Sequence, residues 1–312
     1  MQQTRTLIRK ITFLLLNILM KVSLFRKIIN YIYNNLSWEN KRIVTNHIYN
    51  PNQNFIWKIK LMNNRIINMN VNKIDPKQFS LALLYHNISP QLCIIENEIN
   101  NLLSPNQIYF DIGANQGMRS YLMLSSNRDT YMFEPNPYLN EINLNRCELN
   151  NFKNYKIEQL CLSDRDGNQD FYFSIEHSMS SLEKDFAEIR GISKTEVVRT
   201  TTLDSYIEQN NLKELYPFIK IDVEGHEMSV LKGAENTIVN LKPTFIIEIF
   251  SKEYIVELYK KFSDLGYSIF GINFGSNNII TEIPNIKFLD QYIASDYLFV
   301  YQKEIVTYFK NK

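Results

Sequence analysis

The sequence predicts a doubly wound α/β fold, and three observations predict it. Ile108-Tyr-Phe-Asp-Ile-Gly-Ala-Asn-Gln-Gly117 reads as a strand running into a glycine-containing turn and then a helix. Tyr131-Met-Phe-Glu-Pro-Asn-Pro137 reads as a second strand that ends in an acid. From there strands and helices alternate along the chain, the pattern of a parallel sheet covered on both faces. Such sheets bind ligands at the carboxyl ends of their strands, where Asp111 and Glu134 fall. A carboxylate ending the second strand can accept hydrogen bonds from both hydroxyls of a ribose, so the expected ligand is a nucleoside-bearing cofactor. Gly113 and Gly117 are expected to let the backbone approach it, where a Cβ would clash.

The elements follow in order. Residues 55–61 and 66–71 alternate around Asn63-Asn64 and predict a β-hairpin. Residues 77–103 carry a helical pattern broken at Pro90. The core then reads as strand 108–111, helix 118–125, strand 130–133, helix 137–149 and strand 155–160. Asn136 followed by Pro137 is a good helix start, because asparagine caps and proline is tolerated in the first turn. Strand 169–175, a loop over 176–194 and strand 195–201 come next. Strand 218–222, helix 227–240, strand 244–249, helix 252–264, strand 267–272 and strand 297–302 complete the set. The resulting division is an N-terminal segment over 1–50, a hairpin and helical lead-in over 51–90, and the main domain over 91–312.

The glycine turn restricts the cofactor. A dinucleotide site wants G-x-G-x-x-G, which disfavours a nicotinamide oxidoreductase, and no P-loop follows any strand. The shorter turn, with Asn115 inside it, suits a cofactor without phosphates such as S-adenosylmethionine, with Asp111 near its cationic amino-acid part. A third block, Phe218-Ile-Lys-Ile-Asp-Val-Glu-Gly-His-Glu227, completes a set with the segments Leu162 to Gly167, Ser180-Ser181-Leu182 and Thr202-Leu-Asp-Ser205. In this order the blocks resemble the FkbM-type methyltransferase family over roughly residues 90 to 302. The resemblance implies a class I methyltransferase sheet, S-adenosylmethionine as cofactor, and methylation of a hydroxyl on a sugar, glycan or glycosylated metabolite. It also implies that Asp164 lies on the adenine side. An inactive binding module of the same fold and an N-methyltransferase are the alternatives.

Methyl transfer to a sugar hydroxyl needs alignment and a base, because the hydroxyl is a poor nucleophile. Asp222, Glu224 and His226 cluster after strand 218–222, and Glu248 ends the next strand. His226 is the base that titrates nearest neutrality, with a helix-start role as its structural alternative. Asp222 and Glu248 are also expected to face acceptor hydroxyls or a Mg²⁺ ion. Glu227 is expected to serve the helix N-terminus. The serines at 178, 180 and 181 sit in a loop able to close over the site. His47, His86 and His177 have no identifiable partners.

Thirty-four basic and 33 acidic residues give a net charge of +1, which disfavours a nucleic-acid partner. Three cysteines, Cys93, Cys147 and Cys161, without C-x-x-C spacing fit a reducing cytoplasm. Leu7, Ile11, Leu14, Ile18, Val22, Phe25, Ile29 and Ile32 form a helical apolar stripe interrupted by Arg5, Arg9, Lys10, Lys21, Arg26 and Lys27. Two readings of residues 1–36 stay open. One is a helix packed on the domain or on a second subunit; the other is a peripheral membrane contact on anionic lipid. The run from Ile11 to Met20 is too short to span a bilayer.

Overall fold

The computed structural model describes residues 23–36, 56–70, 90–175, 179–213, 216–274 and 278–312. The upstream stripe residues, the helical pattern over 77–89, Ser178, His177, His47 and His86 lie outside the described residues.

Among the described residues eight strands form the central sheet, in the order Ile280–Glu282, Ser268–Ile272, Asp296–Val300, Thr244–Glu248, Phe218–Ile221, Tyr109–Ile112, Thr130–Phe133 and Tyr155–Glu158. In chain order these are β3 (Tyr109–Ile112), β4 (Thr130–Phe133), β5 (Tyr155–Glu158), β9 (Phe218–Ile221), β10 (Thr244–Glu248), β11 (Ser268–Ile272), β12 (Ile280–Glu282) and β13 (Asp296–Val300). β3, β4, β5, β9 and β10 pair parallel, while β13 runs antiparallel between β10 and β11. The chain starts mid-sheet at β3, winds outward to β5, and returns at β9 beside β3. The doubly wound fold is therefore present, with its switch of winding direction between β3 and β9. Ligands bind at such a switch, beyond the carboxyl ends.

Helices cover both faces. One face meets α2 (Pro90–Leu102), α3 (Met118–Ser125), α4 (Pro137–Leu149) and α10 (Lys303–Lys310) through Ile95, Ile99, Leu122, Leu139, Ile305 and Phe309. The other meets α6 (Leu203–Gln209), α7 (Glu227–Lys232), α8 (Glu235–Leu241) and α9 (Lys252–Asp264) through Leu203, Val230, Ile238 and Phe262. The hairpin, β1 (Ile56–Lys60) and β2 (Ile66–Asn70), buries Trp57, Ile59, Ile67 and Met69 in the first of these cores. Asn150 ties it to α4 by accepting from the Asn68 amide and donating to the Asn68 carbonyl. Before the hairpin, α1 (Ser23–Asn35) leans on it through Tyr33, whose ring meets Trp57 edge-on at 5.6 Å.

Departures from the expected elements have local causes. Pro90 opens α2, as proline is tolerated in a first turn. The expected helix 227–240 is two helices, parted at Gly233, where a Cβ would come 2.0 Å from the Ser163 carbonyl oxygen. The second helix gains an outside cap, because Asp204 accepts from the amides of Asn236 and Thr237. Thr202 itself caps α6 by accepting from the Ser205 amide. Asp166 accepts from the Thr201 hydroxyl, the Thr202 amide and the Ser205 hydroxyl, so the turn before Gly167 is a splice between loops. The expected loop 176–194 contains α5 (Lys184–Glu188). It sits on a small second sheet of β6 (Cys161–Leu162), β7 (Gly167–Ser174) and β8 (Ile192–Thr201). β12, a 3₁₀ turn over Ile286–Asp290 and α10 had no counterpart in the sequence reading.

The three cysteines are buried and form no disulfide. Among the described residues no helix is long and apolar enough to cross a membrane.

Candidate functional site

A row of charges ends the sheet, and strand periodicity puts it there. Alternate residues of a strand face the same side, so Lys220 and Asp222 share a face. Parallel pairing sets Asp111 opposite Lys220, and antiparallel pairing sets Glu248 opposite Asp296. The Lys220 ammonium lies 3.3 Å from Asp111 and 3.1 Å from Asp222, and donates to the Gly113 carbonyl at 3.0 Å. Asp111 also accepts from the Ser120 hydroxyl at 2.6 Å. Behind the row, Arg119 of α3 pairs with buried Glu96 of α2 at 3.4 Å and donates to the Cys93 sulfur.

Six acids, Glu96, Asp111, Asp222, Glu224, Glu248 and Asp296, thus share two cations, Arg119 and Lys220. Such an excess in a buried site cannot all ionise unless a cation arrives. Burial and the neighbouring charges of Asp222 and Asp296 push Glu248 far above the usual carboxylate range. Burial opposes ionisation of Asp222 too, yet Lys220 and a hydrogen bond from Glu248 hold it below its ordinary value. Of this pair, Glu248 favours the protonated form and Asp222 the ionised one. Glu224 is raised by burial, then by the charges of Asp222 and Glu227. It takes the left-handed backbone at φ 56°, uncommon for a residue with a Cβ. Burial raises Asp296 to about 6.

Beside this row opens a cavity. Its inner end is apolar, walled by Phe133, Leu160, Cys161, Leu162 and Phe171. Glu134 stands midway. Its two carboxylate oxygens accept from the amides of Asn115 (2.8 Å) and Asn136 (2.9 Å), while burial lifts it to about 7. A carboxylate has about four acceptor positions, so capacity for two hydroxyls is left. The far end is acidic, with Asp222 and Glu224, and His226 lies on the wall.

Gly113 and Asn115 line the cavity, but Gly117, Asn136, Asp111, Asp164 and Glu248 are not among its lining residues. Asn136 caps α4 by accepting from the Tyr138 amide. Asp164 pairs with Lys232 at 3.0 Å on the outside. A Cβ on Gly113 (φ +77°) would sit 1.8 Å from the Asp222 carbonyl oxygen, and one on Gly117 would meet Asn143 and Tyr121. Close packing of the chain on itself is one demand for glycine at both positions. Glu227, in the first turn of α7, accepts from the amides of Val223 and Gly225 in the preceding turn.

His226 has both ring nitrogens engaged: Nδ1 lies 2.6 Å from a Glu183 carboxylate oxygen and Nε2 lies 2.9 Å from the Ser163 hydroxyl. Glu183 belongs to the segment beginning Ser180-Ser181-Leu182, which clasps the site. The Ser181 hydroxyl donates to the Val223 carbonyl, and Phe186 packs on Gly225. Phe186 also stacks near Phe250, which is 57% exposed just past Glu248. Sequence reasoning missed Lys220, Glu183, Ser163 and Asp296. Only Lys220 left a signal, standing two positions before Asp222.

Three carboxylates, those of Asp222, Glu224 and Glu248, lie within 4.8 Å of one another, near enough to share a cation. S-adenosylmethionine fits the cavity's grading of chemistry. Phe133 and Leu160 to Leu162 would flank its adenine, Glu134 its ribose, and the acid row its cationic end.

A nucleoside-binding, doubly wound domain is the class these features define, and the comparisons give the family. A sequence profile described as the methyltransferase FkbM domain matches residues 111–269, half of the chain, and the chain belongs to that family. Among solved structures it is similar to methyltransferase FkbM from Methylobacillus flagellatus KT, at 15% identity over 72% of this chain, with a TM-score of 0.42. It covers 54% of that protein, so it spans about half the length of this relative. It is also distantly similar to P. horikoshii TYW2 in complex with MeSAdo, at 12% identity over 82% of this chain and 74% of that one, TM-score 0.36. An rRNA methylase from Streptococcus thermophilus matches at 10% identity over 67% of this chain and 93% of its own, TM-score 0.39. A search of curated proteins finds no match.

Proposed function

We propose that the chain is an S-adenosylmethionine-dependent O-methyltransferase whose acceptor is a sugar hydroxyl in a glycan or glycosylated metabolite. The observation that carries it is the single cavity graded from an apolar slot, through Glu134, to a buried excess of acid beside Lys220. Bound there, the cofactor supplies an activated methyl group and a positive charge that the acid row complements.

Glu224 is the base in this reading. It lines the cavity, its carboxyl binds a proton more tightly than an ordinary glutamate, and it can take the proton of an acceptor hydroxyl as the new oxygen–carbon bond forms. Asp222, held ionised by Lys220, accepts a hydrogen bond from a second hydroxyl of the same acceptor. His226, proposed from sequence as the base, instead braces the turn between Glu183 and Ser163. The Phe186–Phe250 pair beside the acids supports a sugar acceptor, whose C–H face packs on aromatic rings.

A Mg²⁺ ion held by Asp222, Glu224 and Glu248 is the second reading, favoured by their mutual spacing. In the first reading the Lys220 ammonium, 3.1 Å from Asp222, offsets part of this charge. The test is release of S-adenosylhomocysteine in the presence of a panel of glycans and amine acceptors, with and without EDTA. Hydroxyl-dependent turnover that survives EDTA is expected. Turnover only with amines, or none with any acceptor, would overturn the reading.

A further inference from the structure

The N-terminal region is charged opposite to the rest. Residues 1–70 hold eleven of the 34 Lys and Arg residues but only one of the 33 acids, Glu39, for a net +10. Residues 71–312 therefore carry a net −9 within a chain of net +1. That separation was invisible in the overall balance.

Helix α1 sits in the basic part and, among the described residues, packs through one side. Tyr33 is buried against Trp57, Ile29 joins the core edge, and the Asn30 amide donates to the Lys58 carbonyl. Its remaining large apolar residues face water: Leu24 at 62%, Phe25 at 41%, Ile28 at 45%, Tyr31 at 73% and Ile32 at 51% exposed. At about 100° per residue these five fall within one arc of about 120°, so they form one face rather than scattered contacts. Exposed Lys27 lies beside that face, and exposed Lys58 and Lys60 lie on the hairpin below.

We propose that Ser23–Asn35 is an interfacial anchor that lays this apolar face into an anionic lipid surface. A contiguous exposed apolar face marks an interaction site, whereas single exposed residues do not. The charge selects the occupant. A second copy would bring two +10 segments face to face. Nucleic acid would satisfy the lysines but leave the apolar face in water. An anionic bilayer offers hydrocarbon to the face and negative headgroups to its flanks. The anchor stands independently of the proposed chemistry.

The test is co-sedimentation of the full chain with vesicles of phosphatidylcholine alone or mixed with phosphatidylserine. Binding to the mixed vesicles, and little to phosphatidylcholine, is expected. It should weaken as salt rises from about 0.1 M to about 1 M, because screening shortens from about 10 Å to about 3 Å. The double variant Phe25→Asp, Ile28→Asp should lose binding by about tenfold or more, as both apolar contacts and charge are reversed. Its melting temperature should match the wild type, which separates lost anchoring from lost folding. Three results would each overturn the proposal. They are wild-type chain left in the supernatant with mixed vesicles, binding unchanged in the double variant, and association into dimers that the same variant abolishes without lipid.

Discussion

The carboxyl edge of the sheet and the N-terminal helix are opposites in how they treat unfavourable groups. At the sheet edge, acids are buried and kept tolerable by Lys220, Arg119 and a retained proton. On α1, apolar side chains are left in water beside lysines. Each arrangement is costly in isolation and sensible when a ligand of complementary chemistry arrives. The first we propose as a cavity for a cationic small molecule. The second we propose as a face for an anionic surface.

Neutralising the base is the largest expected blow to the first region. Glu224→Gln should reduce kcat by about 10²–10⁴, the usual worth of a positioned base, while binding of S-adenosylhomocysteine stays near wild type. Equal turnover in the variant would remove Glu224 from the chemistry. Next comes Lys220→Met, which strands Asp111 and Asp222 without their shared cation. Breaking a buried pair in this way costs about 3–5 kcal/mol, so denaturant melts should show a large drop in midpoint.

Proton linkage gives a smaller, more diagnostic effect. Burial raises Glu96 and Glu134 from the ordinary 4.5 to about 7. Between those values the folded chain holds protons that the unfolded chain releases. Their contribution to stability is fully present below 4.5 and is lost as pH rises through about 7. Thermal melts should therefore shift downward across that window, and Glu96→Gln should flatten the shift. A melting temperature that climbs with pH in wild type and variant alike would contradict this assignment. Glu183→Gln should act through His226, lowering kcat roughly tenfold with little change in KM, as expected of a positioning residue. Glu183→Ala with an identical pH–rate profile and unchanged kcat would show the contact to be ornamental. On α1, Phe25→Asp should leave stability within about 0.5 kcal/mol, the usual range for exposed positions, in contrast to every buried change above.

Much of the sheet edge was legible because backbone periodicity and turn chemistry dictate it. Asp111, Glu134, Asp222 and Glu248 end strands, and a strand's end is readable from its apolar run. Asn136-Pro137 announced its helix and caps it as expected. What stayed hidden depended on pairings distant in sequence. Asp296 joins the row only because β13 is inserted antiparallel beside β10. Glu183 reaches His226 across 43 positions, and Ser163 across 63. Gly233 breaks a helix because a carbonyl from another loop fills its missing Cβ. No local pattern encodes such contacts. The glycine turn teaches a different lesson, since the packing adds a demand for glycine that its local sequence does not show. Likewise α1 was readable as an amphipathic stripe, but only the fold shows that Tyr33 and Ile29 pack while the neighbouring arc stays exposed.

The most direct test of the central claim is calorimetric titration of the folded chain with S-adenosylhomocysteine, beside a Glu134→Ala variant. Glu134 lines the cavity and is the acid proposed to meet the ribose. Saturable binding by the wild type that weakens at least about tenfold in the variant, or about 1.4 kcal/mol, is the predicted result. No binding by folded wild-type protein, or equal binding by both, would contradict the assignment of this cavity.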